Sequence, residues 1–388
     1  MTNTTTFPSA TISPMEKVTP AAVTHTPEET ILSEKEYIPS EEYVKQLGRT
    51  YLLGDTLWLA FSAAGADFTF TGTKAVITLK GDNIAIAGMS QESFCRYGIY
   101  VNDELVADEL LKEPEKTITV YESDVEKTVT VRVLKLSEAA NSTIGIGKIQ
   151  VTAKEPIKPT AAKSHRIEFV GDSITCGFGV DDSDVNGEFT TAMEVATKAY
   201  AYNTAQALDA DYSLVCLSGY GIISGYTANG MQNASQIIPP YYDKIGFSYG
   251  YFNSTLQVST LDWDFSRFVP ELIVVNLGTN DNSYCGNDAD KQEEYVKGYV
   301  EFLKQIRANN PDAAILCTLG MMGDTLYPSV EKAVSSYTQE TGDTRIYSMK
   351  FDVQQASDGY GACWHPSEVT HQKAADKLTA RIKTIMGW

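Results

Sequence analysis

Between residues 46 and 155 apolar and polar positions alternate in short runs. Phe68 and Phe70 alternate with Asp67, Thr69 and Thr71, while Val129, Val131 and Val133 alternate with Thr128, Thr130 and Arg132. A period of two places every second side chain on one face, as half-buried antiparallel strands require. Gly72, Gly81-Asp82 and Asn102-Asp103 supply turns between the runs. Several short strands with no long helical pattern predict an all-β sandwich of jelly-roll type over 46–155.

After a linker at Lys154 to Pro159 the period changes. Apolar runs at 167–170, 213–217, 272–277, 313–319 and 345–351 alternate with helical stretches near 191–209, 288–309, 328–341 and 366–386. That rhythm predicts an α/β domain over 160–388, with helices on both faces of a parallel sheet. Asn309-Asn310-Pro311 stops the second of these helices. Residues 1–45 are rich in Thr, Pro, Ser and Glu and lack a sustained apolar period. Such a stretch buries too little surface to offset chain entropy, so a tail is expected, flexible or draped over a domain.

Composition agrees with two domains and narrows the partners. At 388 residues each domain is large enough to bury its own core. With 31 basic against 50 acidic residues, the net charge of -19 repels phosphate backbones and anionic lipid. Neither nucleic acid nor membrane is therefore an expected partner. Six cysteines are scattered without metal-ligand spacing, as befits buried free thiols. The N-terminus has no basic segment followed by an apolar one, so the expected compartment is the cytoplasm, or the cell exterior if a leader has been trimmed.

The candidate chemistry starts at Val170-Gly171-Asp172-Ser173-Ile174-Thr175. It follows the strand-like run Arg166 to Val170 and precedes Gly177-Phe178-Gly179, so Ser173 is expected at a strand's carboxyl end, where open α/β sheets build their sites. Gly-Asp-Ser is also an ordinary turn tripeptide. A serine nucleophile needs a base within hydrogen-bond reach. Of four histidines, His25 lies in the tail and His165 precedes the strand at its far end. That leaves His365 at a helix start and His371 inside the helix, with His365 favoured as the base.

Three blocks in this order, Gly171-Asp172-Ser173, Gly278-Thr279-Asn280-Asp281 and Trp364-His365-Pro366-Ser367, resemble the SGNH (GDSL-type) hydrolase superfamily. The resemblance implies a flavodoxin-like parallel sheet and an oxyanion hole made by the amide of Ser173, a glycine after the second strand, and Asn280. Gly221 is the favoured glycine, with Gly219 the alternative. One departure stands out: many such enzymes place an Asp three residues before the base, and position 362 is Ala. Either Asp358 swings in, or a backbone carbonyl orients the imidazole.

The β-rich half joined to this domain, together with Trp263-Asp264-Phe265 and the Trp-His-Pro-Ser block, resembles carbohydrate esterase family 2 over residues 46 to 388. That implies an acetylesterase acting on acetylated xylan or mannan without metal or cofactor, with the main-chain carbonyl near Trp364 orienting His365. Tyr220, Trp263 and Trp364 are candidates for substrate contact, with Trp263 and Trp364 either lining the acyl pocket or packing in the core. The aromatic-rich stretch from Ile238 through Phe252 either faces sugar rings or packs against the sandwich. Two rival readings are a lipid esterase or thioesterase of the GDSL type, and a carbohydrate-binding protein with an inactive hydrolase domain.

Overall fold

The computed structural model describes residues 1–5, 31–86 and 91–388. Its first part is an antiparallel sheet of ten strands. The main path runs Thr50–Leu53, Thr56–Leu59, Ile144–Ala153, Gly65–Gly81, Glu115–Lys135, Arg96–Val101 and Glu104–Leu110. The alternation read from the sequence is the core: Phe68, Phe70, Val129, Val131 and Val133 are all buried together with Ile77, Leu79, Ile149 and Val151. The strands join into one curled sheet that encloses this core. Its strands of 17 and 21 residues are long enough to bend at register shifts between Gly72 and Lys74 and between Ala75 and Val76.

The stretch expected as a tail ends in a strand. Ser33–Tyr37 pair antiparallel with Ile149–Ala153, covering an edge whose amides and carbonyls would otherwise lack partners. Residues 6–30 of the expected tail, including His25, lie outside the described residues.

The second part is a five-stranded parallel sheet in the order Ala210–Cys216, His165–Gly171, Leu272–Asn276, Ala314–Leu319, Ile346–Lys350. This is the flavodoxin-like 2-1-3-4-5 order, and its switch point lies beside the strand that leads to Ser173. Side chains of successive strand residues point to opposite faces. Phe169, Leu214 and Val274 accordingly pack with helices Tyr200–Ala207 and Glu368–Met386, while Val170, Val215 and Val275 pack with Ala289–Asn309 and Tyr327–Thr341.

The helix expected over 191–209 is shorter, because tertiary partners take the backbone groups at its start. Val195 and Ala196 donate their amides to the carbonyls of Gly177 and Leu136, leaving only 3-10 turns before Tyr200.

The two sheets meet around a buried charge. Arg49, which is fully buried, donates to the carbonyls of Tyr242 and Lys244 and to Glu168 Oε2 at 3.2 Å. Glu168, on the strand leading to Ser173, also accepts from Tyr242 at 2.8 Å and Ser213 at 3.2 Å. Much of the aromatic-rich stretch is used in this packing: Tyr242 is buried beside Arg49, and Phe252 stacks on Trp58 at 5.7 Å. No helix among the described residues is long and apolar enough to cross a membrane. All six cysteines are free thiols, and only Cys363 is partly exposed.

Candidate active site

Ser173 opens the short helix Ser173–Cys176 directly after the strand His165–Gly171. Asp172 caps that helix through Oδ1, which accepts the Ile174 amide at 3.0 Å. The first helical residue has no intrahelical acceptor for its own N–H, so the Ser173 amide remains available to a ligand. His365 Nε2 lies 2.9 Å from Ser173 Oγ. The other ring nitrogen, Nδ1, lies 3.2 Å from the carbonyl oxygen of Cys363. A carbonyl only accepts, so Nδ1 carries the proton and Nε2 is left as the acceptor for the serine hydroxyl. Burial lowers the His365 pKa to about 4, and the carbonyls of Cys363 and Ala362 only partly oppose it. The imidazole is therefore neutral at pH 7.

The orienting group is a backbone carbonyl next to Trp364, and neither Asp358 nor the Trp364 carbonyl itself. The Trp364 carbonyl accepts from Gln354 Nε2 at 2.8 Å. Asp358 is drawn away by Lys373, at 2.6 Å. The oxygen that faces the imidazole belongs one residue earlier, to Cys363, because Cys363 and Trp364 both adopt left-handed backbone with φ of 51° and 63°. His371 is buried elsewhere, accepting the Tyr200 amide at 3.2 Å. His165 stacks on Trp388 at 3.9 Å.

The two candidate glycines stand in different surroundings. Gly221 donates its amide to the Gln236 carbonyl at 3.2 Å, and a side chain there would strike Asp281 Oδ2 at 2.6 Å. Gly219, with φ of +81° and open space where a Cβ would stand, lines the cavity with Ser173, and its amide has no acceptor among the described residues. Asn280 Nδ2 lies on the same cavity and donates to the Tyr220 carbonyl at 2.9 Å, with Asp172 Oδ2 at 3.3 Å. Asp281 anchors the loop beyond Gly219 by accepting the amides of Ile222, Ile223 and Ser224. Burial raises the pKa of Asp172 to about 7, with the charge of Asp281 adding to it, and burial raises Asp281 to about 6.

The cavity has a volume of about 600 Å³, and Phe178, Tyr226 and Met322 form apolar parts of its wall. Phe178 stacks on Phe189 at 5.0 Å and its ring lies 4.3 Å from that of His365. No motif marks these wall residues. Only the glycines flanking Phe178 hinted at a turn there.

Of the aromatic candidates, Trp364 is 54 % exposed next to His365. Tyr220 is a core residue packed between Tyr241 and Phe247, and its contribution to the site is the carbonyl that holds Asn280. Trp263 is buried away from the serine, with the guanidinium groups of Arg49 and Arg267 within 5.4 Å and 5.1 Å of its ring. Cation–π contact with two arginines explains an aromatic residue there without a ligand. Among the described residues no cluster of three or more potential metal ligands forms.

Sequence comparison matches residues 167–378 to the GDSL-like lipase/acylhydrolase family and residues 47–176 to the carbohydrate esterase 2 N-terminal domain. The cellulase/esterase CelE of Acetivibrio thermocellus is 32% identical over 85% of this chain, which spans only 38% of CelE. An acetylxylan esterase / glucomannan deacetylase of Cellvibrio japonicus is 25% identical over 90% of both chains. The structure of a family two carbohydrate esterase from Clostridium thermocellum, in complex with cellohexaose, superposes with a TM-score of 0.76 at 28% identity, covering 89% of this chain and 99% of that one. The chain thus belongs to the GDSL-like lipase/acylhydrolase family, in the branch of the family 2 carbohydrate esterases.

Proposed function

We propose that the protein is a serine esterase that removes O-acetyl groups from plant polysaccharides such as acetylated xylan or mannan. The observation that carries the reading is the continuous path from Ser173 Oγ through the His365 ring to the Cys363 carbonyl, at 2.9 and 3.2 Å. His365 Nε2 takes the hydroxyl proton as Ser173 Oγ attacks the acetyl carbonyl carbon. The amides of Ser173 and Gly219 donate to the oxygen that becomes negative, and Asn280 Nδ2, whose contact with Asp172 Oδ2 is the longer of its two at 3.3 Å, turns that N–H to the same oxygen. His365 then returns the proton to the departing sugar oxygen, leaving an acetyl-serine. Water attacks that ester with the same base, and acetate leaves.

Two features favour a sugar ester as substrate. Trp364 offers an exposed ring beside the base, a flat apolar surface suited to a pyranose face. The relatives of Cellvibrio japonicus and Clostridium thermocellum carry names that tie this architecture to polysaccharides. Incubation with acetylated xylan and glucomannan oligosaccharides, followed by NMR of the acetyl protons, tests the reading. Loss of acetyl signals with growth of free acetate is expected. The apolar wall at Phe178 and Met322 supplies the rival, a lipid esterase, and faster cleavage of long-chain than of acetyl aryl esters would replace the proposal with it.

A further inference from the structure

Glu138 lies on the segment that joins two strands of the antiparallel sheet, Glu115–Lys135 and Ile144–Ala153, yet its carboxylate reaches into the hydrolase half. It is 4% exposed. Oε2 accepts the amide of Ser218 at 2.7 Å, and the thiol of Cys176 points to the same oxygen at 3.8 Å. Oε1 accepts from Asn141 at 3.0 Å. The Glu138 backbone is itself fixed, its amide donating to Glu194 Oε2 at 2.9 Å and its carbonyl accepting from the buried Lys135 ammonium at 2.5 Å. Ser218 immediately precedes Gly219, and Cys176 closes the helix that Ser173 opens. One oxygen from outside the parallel sheet therefore grips both the nucleophile's helix and the loop that carries a free amide to the cavity.

The geometry points to Glu138 as a positioning residue for the oxyanion site, contributed by the β-rich half of the chain. Asp281 holds the far part of the same loop at Ile222 to Ser224, so the stretch between is clamped by carboxylates at both ends. A buried carboxylate that accepts a backbone amide sets the direction of the following peptide, here the N–H of Gly219. The aim of that donor matters only when negative charge develops on the substrate oxygen, so the effect belongs in kcat and not in KM. The inference rests on the serine-esterase reading, though not on which polysaccharide is deacetylated.

Glu138→Asp withdraws the carboxylate from Ser218 by one methylene, whereas Glu138→Gln keeps an acceptor at full length. With an aryl acetate, E138D is expected to lower kcat by about 10- to 100-fold with KM little changed, and E138Q to stay within about 5-fold of the parent. Affinity for an arylboronic acid, which adds to the serine as a tetrahedral anion, should fall with kcat in E138D and can be measured by calorimetry without turnover. Arg96→Gln, which cuts an ion pair of 2.9 Å to Asp181 between the same two halves, serves as the control and should lower Tm alone. E138D that loses Tm but keeps kcat and boronate affinity would overturn the inference. An enzyme that cleaves the aryl acetate and leaves acetylated polysaccharide intact would instead overturn the substrate reading.

Discussion

His365 Nε2 stands 2.9 Å from Ser173 Oγ, 192 positions away in the chain, and the opposite ring nitrogen meets a peptide carbonyl where related hydrolases place a carboxylate. Replacing either partner should stop turnover without unfolding the chain. Ser173→Ala and His365→Ala are each expected to lower kcat on an aryl acetate by about 10⁴-fold or more, and the double variant should be no slower than either alone. Steady-state kinetics beside thermal melts checks this, and a Ser173→Ala enzyme retaining full activity would remove the assignment.

The pH profile follows from the same pair. Burial holds the His365 pKa down to about 4, below its ordinary 6.5. The neutral form is the active base, so it persists as pH falls through 6.5 and is lost only as pH drops through about 4. The acid limb of kcat/KM is expected near that lower value. An acid limb near 6.5 would show that the free enzyme's base is far better hydrated than this loop allows.

Gly219 and Gly221 should respond differently to alanine. At Gly219 the methyl meets open space and only the left-handed backbone resists, a cost of roughly 1–2 kcal/mol. At Gly221 it would lie 2.1 Å from the Ser224 carbonyl and 2.6 Å from Asp281 Oδ2, so overpacking of about 3 kcal/mol is expected. Urea denaturation of the two variants decides the order, and equal losses would contradict it.

Glu168 and Arg49 predict a stability effect away from the chemistry. Glu168→Ala leaves a fully buried guanidinium without its counter-ion and should cost about 3–5 kcal/mol. Adding Arg49→Met should restore part of that loss, because the uncompensated charge goes with it. A denaturant series on the two variants tests the coupling.

The parallel sheet was legible because its inner strands are buried on both faces and read as nearly continuous apolar runs, as at 272–277. Ser173 and His365 could be named because their neighbours form local motifs. The residues misplaced from sequence are those whose role depends on distant chain. Trp263 could serve the substrate pocket or the core as read from sequence, and the two arginines against its ring place it in the core. Gly221 and Gly219 are indistinguishable as letters and are separated only by the partners Gln236 and Asp281. Asp358 could not be excluded before Lys373, on the following helix, was seen to claim it. The Ser33–Tyr37 strand carried no apolar period because an edge strand needs only one covered row of hydrogen bonds.

The oxygen that steadies the base is part of the main chain, which puts it beyond ordinary side-chain mutagenesis. An alanine scan of this loop would delete the Cys363 thiol and leave the acceptor in place. What it would disturb, if anything, is the pair of non-glycine residues turned into left-handed backbone at 363 and 364. Fidelity of the dyad is thus stored as a shape of the chain, and it tolerates changes in composition as long as two successive torsions are kept.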